Sequence, residues 1–180
     1  METLCLVPHP EHTALQVTAI GVSILAPTPH WLRVRWRIEG AGRVVLPGLA
    51  GKGRTDGLWQ RTCFEVFLSV PGEAGYVELN LSPSEQWAAY DFTGYREGMA
   101  ERAMPRDPVC TARGSGELLI FDAAVPLAGL PLAPWQVGLT AVIEEEGGMK
   151  SYWALAHPPG KPDFHSPACF AATVAAPRLP

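Results

Sequence analysis

The chain has 180 residues, of which 47% are hydrophobic and 18% charged, enough apolar material for a domain-sized core and too much for a disordered chain. The formal net charge is −4 and no basic tract occurs, which argues against binding to nucleic-acid phosphates. No apolar run has the length of a membrane span, and the first residues lack a secretory signal. We therefore expect a cytoplasmic protein that binds neither nucleic acid nor membranes.

Turn-forming residues favour an all-β fold. The 18 glycines and 18 prolines are spread along the chain without a repeat, which indicates many short segments joined by turns. The four cysteines, Cys5, Cys63, Cys110 and Cys169, are also scattered and form no C-x-x-C pair. We expect buried free thiols and no metal site, with a Cys63–Cys169 disulfide as the alternative.

Alternating polarity predicts the first strands. Residues 15–25 form a plausible first strand, and residues 31–38 alternate with period two. One face of the second strand is apolar, with Leu32, Val34, Trp36 and Ile38. The opposite face carries Arg33, Arg35 and Arg37. Residues 40–57 are glycine-rich and predict a loop.

Two further strands, residues 62–70 and 76–82, predict a sheet with one polar face. If their apolar faces coincide, Ser69 pairs with Tyr76. Phe67 then lies beside Glu78, and Glu65 beside Asn80. Cys63 and Phe67 share this polar face, which indicates that something partly covers it and favours a cleft.

The second half of the chain adds more strands. Residues 82–85 fit either a helix start or a turn into a strand over residues 86–92, and we favour the turn. Residues 95–104 predict a short helix, residues 118–125 a strand and residues 168–174 the last strand. Gly147-Gly148 predicts a two-residue hairpin turn that places Glu145 opposite Lys150.

These elements predict a single domain spanning residues 1–180. About ten strands in one chain are typical of an antiparallel β-sandwich or jelly roll.

The polar sheet face is the first candidate site. Carboxylates, amides and guanidinium groups hydrogen-bond sugars, and aromatic rings lie on sugar faces. Glu65, Glu78, Asn80 and Arg35 supply the polar groups, while Trp59, Trp87, Tyr90 and Tyr95 lie close in sequence. The alternative is a solvated face with cross-strand ion pairs. Glu65 and Glu78 also fit, at diagonal cross-strand spacing, the carboxyl pair of a sugar-cleaving enzyme.

The proline-rich run at residues 157–165 is the second candidate site. Its three prolines stiffen the backbone, so that it can present His157, Lys161 and His165 to a ligand, a metal or haem iron. A plain rigid connection to the last strand explains the run equally well. The chain has no nucleophile elbow, P-loop, dinucleotide-binding or zinc-protease motif, so we expect no catalytic residue.

The run GLWQRTCFEVFL at residues 57–68, followed by YVELNLSP at residues 76–83, resembles the central signature of the DOMON-like superfamily. That superfamily includes family 9 carbohydrate-binding modules and haem-binding cytochrome domains. With residues 87–95 and 151–170, the whole chain is similar to small bacterial DOMON-like proteins. Arg61, Thr62 and Cys63 stand where relatives usually carry an Asp.

The resemblance implies a β-sandwich that binds a saccharide, with Trp59, Glu65, Glu78 and Asn80 on the ligand face. It also implies an alternative, haem b held by Met99 or Met104 together with His157, Lys161 or His165. We therefore expect a non-catalytic module for a small, sugar-containing ligand. The predicted ligand-binding residues are Trp59, Glu65, Glu78, Asn80, Trp87, Arg35, His157 and Lys161. An exposed sheet edge could also pair two chains, and the sequence leaves the oligomeric state open.

Overall fold

In the computed structural model, which describes residues 2–175, the chain forms thirteen β-strands and four short 3₁₀ helices. The strands are β1 Leu4–Pro8, β2 Ala19–Thr28, β3 Trp31–Glu39, β4 Gly53–Arg54, β5 Cys63–Ser69, β6 Tyr76–Leu81, β7 Gln86–Phe92, β8 Ala100–Glu101, β9 Val109–Ser115, β10 Leu118–Pro126, β11 Trp135–Glu145, β12 Met149–Ala154 and β13 Ala172–Val174. The 3₁₀ helices are Ala41–Arg43, Leu58–Gln60, Leu127–Gly129 and Pro167–Cys169. Within the described residues, no helix is long and apolar enough to cross a membrane.

The strands join into one curled sheet in the order β4-β7-β6-β5-β11-β12-β1-β2-β3-β10-β9, with β13 on β11 and β8 on β7. Strand β1 connects the two halves, because Leu6 pairs with Ile20 of β2 while Val7 pairs with Ala154 of β12. All pairs are antiparallel except the short β4–β7 pair, which is parallel. The all-β prediction is confirmed. The strands form one continuous, curled sheet, which the β4–β7 pair makes mixed rather than purely antiparallel.

The main core lies between the two halves of this sheet. The alternation predicted for β3 is confirmed, since Leu32, Val34, Trp36 and Ile38 are buried on one face. Across the core, Phe64 of β5 stacks on Phe121 of β10 with ring centroids 4.2 Å apart, and both rings contact Trp36. The apolar faces of the two halves thus bury each other, which leaves the opposite face of β5 and β6 available for a site.

The predicted register between β5 and β6 is confirmed. Ser69 pairs with Tyr76, Phe67 with Glu78, and Glu65 with Asn80. The preferred turn at residues 82–85 is also confirmed, because the Glu85 N–H donates to the Ser82 carbonyl and β7 follows.

The hairpin between β11 and β12 differs from the prediction by one residue. Glu145 pairs with Met149 and Glu144 with Lys150, so the loop has three residues rather than two. Both Gly147 and Gly148 adopt positive φ, and the Gly148 N–H donates to the Glu145 carbonyl. The third loop residue shifts the register by one, so that each residue of β11 lies opposite the neighbour of its predicted partner on β12.

Three other predictions are wrong in detail. Residues 95–104 form loop and the short strand β8 instead of a helix. The first strand is β1, and β2 begins only at Ala19. The reason is that the buried Glu145 carboxylate accepts hydrogen bonds from the backbone N–H groups of Leu15, Gln16 and Val17. These N–H groups are then not available for hydrogen bonds to a neighbouring strand. All four cysteines are free thiols, as predicted, but Cys5 is exposed rather than buried.

Candidate functional site

A cleft of about 770 Å³ opens on the face of β5 and β6 that points away from the core. That volume suits a small organic ligand. Side chains from many parts of the chain line the cleft, among them the segment after β1, strands β5, β6 and β7, and the loop after β12. The partial cover predicted from Phe67 is present, because Phe67 is fully buried against Phe170 of the C-terminal segment.

The cleft floor consists of Glu65, Glu78 and Asn80. All three are buried, and their alternation on β5 and β6 points them to the same face. Asn80 Nδ2 donates a 2.8 Å hydrogen bond to Glu78 Oε1, and the Thr140 hydroxyl donates at 3.2 Å to Glu65 Oε2. Each carboxyl therefore keeps one oxygen without a hydrogen bond from the described residues, and both residues line the cleft.

Both floor carboxyls hold a proton more strongly than usual. Burial raises the pKa of Glu65 well above its ordinary value, the nearby Glu78 raises it further, and the Thr140 hydrogen bond opposes the rise. Burial also raises the pKa of Glu78, although the Asn80 hydrogen bond and the Arg96 charge act in the opposite direction. Two adjacent buried carboxyls ionise less readily together than either would alone.

This proton affinity predicts how stability depends on pH. A carboxyl whose pKa is raised by folding is protonated in the folded protein but ionises in the unfolded chain from about pH 4.5 upward. The free energy of unfolding should therefore fall as the pH rises from there through the folded-state pKa. We expect Glu65→Gln to lose less stability than the parent protein between about pH 5 and about pH 8, measured by urea unfolding.

Asp122→Asn is the control for that measurement. Although burial alone would raise the pKa of Asp122, hydrogen bonds from Arg35 and Arg113 lower it below its ordinary value. Its stabilising contribution is therefore the same at both pH values, and its loss should lower both stabilities equally. An unchanged pH slope in Glu65→Gln would contradict the raised pKa.

Aromatic side chains surround the floor. Trp59, in the 3₁₀ helix Leu58–Gln60, is 53% exposed and stands at the cleft mouth. Tyr90 of β7 is buried, and its hydroxyl donates a 2.5 Å hydrogen bond to Asp56. Tyr152 and Phe164 lie on the opposite side with ring centroids 6.1 Å apart. The cleft thus combines a polar floor with apolar sides and one exposed indole.

The proline-rich loop after β12 closes one side of the cleft with Lys161, Pro162, Phe164 and His165. Two hydrogen bonds tie it to the N-terminal segment: His9 Nε2 to the Gly160 carbonyl at 2.8 Å, and His157 Nε2 to the Val7 carbonyl at 2.9 Å. A third connection is the 2.7 Å ion pair of Arg96 with Asp163. These contacts attach the loop to the N-terminal segment and to the loop after β7.

His165 occupies a defined position between the loop and the floor. Tyr76 Oη lies 2.8 Å from His165 Nδ1, and the Arg96 backbone N–H donates to the same Tyr76 oxygen at 3.2 Å. The other ring nitrogen, Nε2, lies 3.8 Å from Glu78 Oε2. Burial and repulsion from Arg96 lower the pKa of His165 to about 4, although Asp163 opposes this. The imidazole is therefore neutral at neutral pH.

Five predicted ligand residues meet in the cleft, namely Trp59, Glu65, Glu78, Asn80 and Lys161. The other three do not. Trp87 pairs with Leu81 and faces the core, where it is 6% exposed. Arg35 lies on the outer face of the other half-sheet and forms an ion pair with Asp122 at 2.7 Å. His157 contacts His9 and Val7 behind the loop instead of lining the cleft.

Sequence reasoning missed other lining residues, chiefly His12, Arg96, Tyr152 and Phe164. No local pattern marks them, because each reaches the cleft through long-range folding of an irregular segment or through strand pairing. Positive φ at Arg96, which is unusual for a residue other than glycine, is visible only in the structure.

The predicted haem ligands are divided between two places. Met99, Lys161 and His165 line the cleft. Met104 packs instead against the core, so close to Gly129 that a Cβ there would lie 2.6 Å from its Cε. Among residues 2–175, no group of three His, Cys, Asp or Glu side chains has the spacing of a metal site.

No protein-family model and no curated protein sequence matches the chain. Its fold is similar to those of several solved structures, two of which are described here. One is a candidate carbohydrate-binding protein from Bacteroides uniformis, 15% identical with TM-score 0.67, covering 97% of this chain and 84% of that one. The other is a family 9 carbohydrate-binding module from Caldicellulosiruptor kristjanssonii in complex with cellotriose, 10% identical with TM-score 0.50, covering 88% and 74%. At these identities the likeness concerns the fold alone.

Proposed function

We propose that the chain is a non-catalytic saccharide-binding module and that the cleft over β5 and β6 is its binding site. The observation that carries the proposal is the convergence of the floor of Glu65, Glu78 and Asn80 with the exposed indole of Trp59. Buried polar groups fix the orientation of hydroxyls, while an exposed aromatic face offers apolar contact to a pyranose ring. The fold likeness to carbohydrate-binding proteins supports this assignment.

We also propose that the two halves of the sheet pack as a β-sandwich and that the chain is related to the DOMON-like superfamily. The two half-sheets with their common core provide the rigid layer, and the C-terminal segment covers part of the outer face. A site built on paired strands is held more precisely than one on loops.

The direct test is isothermal titration of the purified chain with a panel of neutral, amino and acidic mono- and oligosaccharides, including glucose and cellotriose. We expect at least one saccharide to bind with one-to-one stoichiometry, and Glu78→Gln to weaken that affinity about tenfold, because it exchanges an acceptor for a donor. Glu117→Gln, an exposed glutamate outside the cleft, is the control and should bind as the parent does.

Two other outcomes would replace the proposal. The haem b alternative rests on Met99, Lys161 and His165, although a floor of two carboxyls and an amide is poorly suited to an apolar macrocycle. A saturable, one-to-one Soret band on haemin titration would favour it. Release of a chromogenic aglycone from a glycoside, lost in Glu65→Gln, would favour a sugar-cleaving enzyme.

A further inference from the structure

Tyr76 does not line the cleft, yet it contacts three residues that do, namely Phe92, Arg96 and His165. The tyrosine lies on β6, two residues before Glu78, and is 7% exposed. Its hydroxyl lies 2.8 Å from His165 Nδ1 and accepts the backbone N–H of Arg96 at 3.2 Å. Its ring stacks on Phe92 with centroids 4.8 Å apart, and the His165 ring packs edge-on to Phe67, Tyr76 and Phe92.

These contacts determine where the protons are. The Tyr76 oxygen already accepts from Arg96, and its own hydroxyl proton needs an acceptor in a buried place. Among the described residues, His165 Nδ1 is the acceptor within hydrogen-bond distance. Nδ1 must then be unprotonated, and a neutral imidazole with a bare Nδ1 carries its proton on Nε2.

The Nε2–H group has no hydrogen-bond partner in residues 2–175. The carboxylate oxygen Glu78 Oε2 lies 3.8 Å away, beyond the range of a hydrogen bond. His165 itself is one of the residues that line the cleft. An unpaired N–H donor next to a carboxyl, facing a cleft, is suited to a ligand oxygen.

We propose that Tyr76 is a positioning residue, which holds His165 as the Nε2–H tautomer so that the imidazole donates to a ligand oxygen beside Glu78. This inference rests on the proposed saccharide-binding function. A sugar hydroxyl that accepts a hydrogen bond from His165 can at the same time donate one to Glu78. The two side chains would therefore bind both the oxygen and the proton of one hydroxyl. The lowered pKa of His165, about 4, keeps this donor neutral down to mildly acidic pH.

The groups around His165 are consistent with a neutral ring. Arg96 and Asp163 form an ion pair at 2.7 Å, and Glu78 Oε2 lies 3.8 Å from Nε2. The rings of Phe67, Tyr76 and Phe92 pack against the imidazole. Lys161 stands on the same loop, at the cleft edge. The nearest cation, Arg96, opposes protonation of the ring.

The decisive experiment is a long-range ¹⁵N–¹H correlation spectrum of the ¹⁵N-histidine-labelled full chain, which distinguishes the two neutral tautomers. His165 is assigned by comparison with His165→Gln. We expect the Nε2–H pattern in the free protein from about pH 5.5 to about pH 8. Tyr76→Phe should abolish the tautomer preference and reduce saccharide affinity about fivefold, the loss expected of one neutral hydrogen bond.

Tyr90→Phe is the matched control. Tyr90 is as buried as Tyr76, but its hydroxyl donates to Asp56 and not to His165. Its His165 spectrum should be unchanged. His165→Gln, whose amide can reach the Nε2 position, should retain more affinity than His165→Asn, whose amide cannot. An Nδ1–H pattern in the free protein, or a Tyr76→Phe variant unchanged in both spectrum and affinity, would overturn the proposal. If no saccharide binds the parent chain, the proposed function fails, and the His165 spectrum alone still decides the positioning role.

Discussion

Trp59→Ala should weaken saccharide binding about thirtyfold, or about 2 kcal/mol, while the fold is unchanged. The indole is 53% exposed at the cleft mouth, so its removal deletes little buried surface of the free protein. When a sugar ring lies on the indole, however, that apolar face is removed from water. Isothermal titration with the tightest-binding saccharide of the panel measures the effect. Tryptophan fluorescence is unsuitable, because the variant lacks the indole that would report binding.

Trp31→Ala provides the control for that loss. Trp31 is a half-buried tryptophan at the start of β3, and it does not line the cleft. Its removal should leave saccharide affinity unchanged. Equal affinities of Trp59→Ala and the parent chain would remove the indole from the site and leave the floor of Glu65, Glu78 and Asn80 without its apolar partner.

The floor of the cleft could be predicted from sequence because it depends on a local pattern. Alternation along residues 62–70 and 76–82 and the short turn between them fix which side chains share a face. The register that joins Glu65 to Asn80 and Phe67 to Glu78 follows from burying both apolar faces together. Short-range pairing with one consistent hydrophobic face is the kind of structure that a single sequence specifies well.

The sides of the cleft do not follow from alternation, although the prolines marked residues 157–165, with Lys161 and His165, as a candidate ligand-binding run. Phe164 and His165 reach the cleft through an irregular loop, whose position depends on bonds from His9 and His157 to distant carbonyls. Arg96 reaches it from a loop that resembled a helix in sequence. Such contacts join residues far apart in the chain and leave no periodic signal.

Errors on the strands have equally specific causes. The edge strand β9 is mostly exposed on both faces, so it lacks the alternation that predicts a strand. Trp87 was expected in the site because of its place in the sequence near polar strands. Its pairing with Leu81 instead directs it to the core. Arg35 shares a strand with core residues, but its half of the sheet faces away from the cleft.

The two hydrophobic clusters separate stability from binding. Phe64 belongs to the core between the half-sheets, whereas Phe170 belongs to a smaller cluster between the C-terminal segment and the outer face of β5 and β6. Phe170 stacks on Phe67 at 5.7 Å and packs edge-on against Tyr76 at 5.5 Å. The smaller cluster therefore supports the side of the cleft on which His165 lies.

Phe64→Ala should lower the free energy of unfolding by about 3–5 kcal/mol, because it opens a cavity among fully buried rings that cannot relax into it. Phe170→Ala removes a half-buried ring at the surface and should lower the free energy of unfolding by about 1–2 kcal/mol.

The loss of saccharide affinity should be in the reverse order, larger for Phe170→Ala than for Phe64→Ala. Under conditions where both variants are folded, Phe64→Ala keeps its cleft, whereas Phe170→Ala loses the packing behind Tyr76 and His165. Urea unfolding and saccharide titration of the same two samples measure both orders. A Phe170→Ala variant with parental affinity would contradict the support of the cleft by the C-terminal segment.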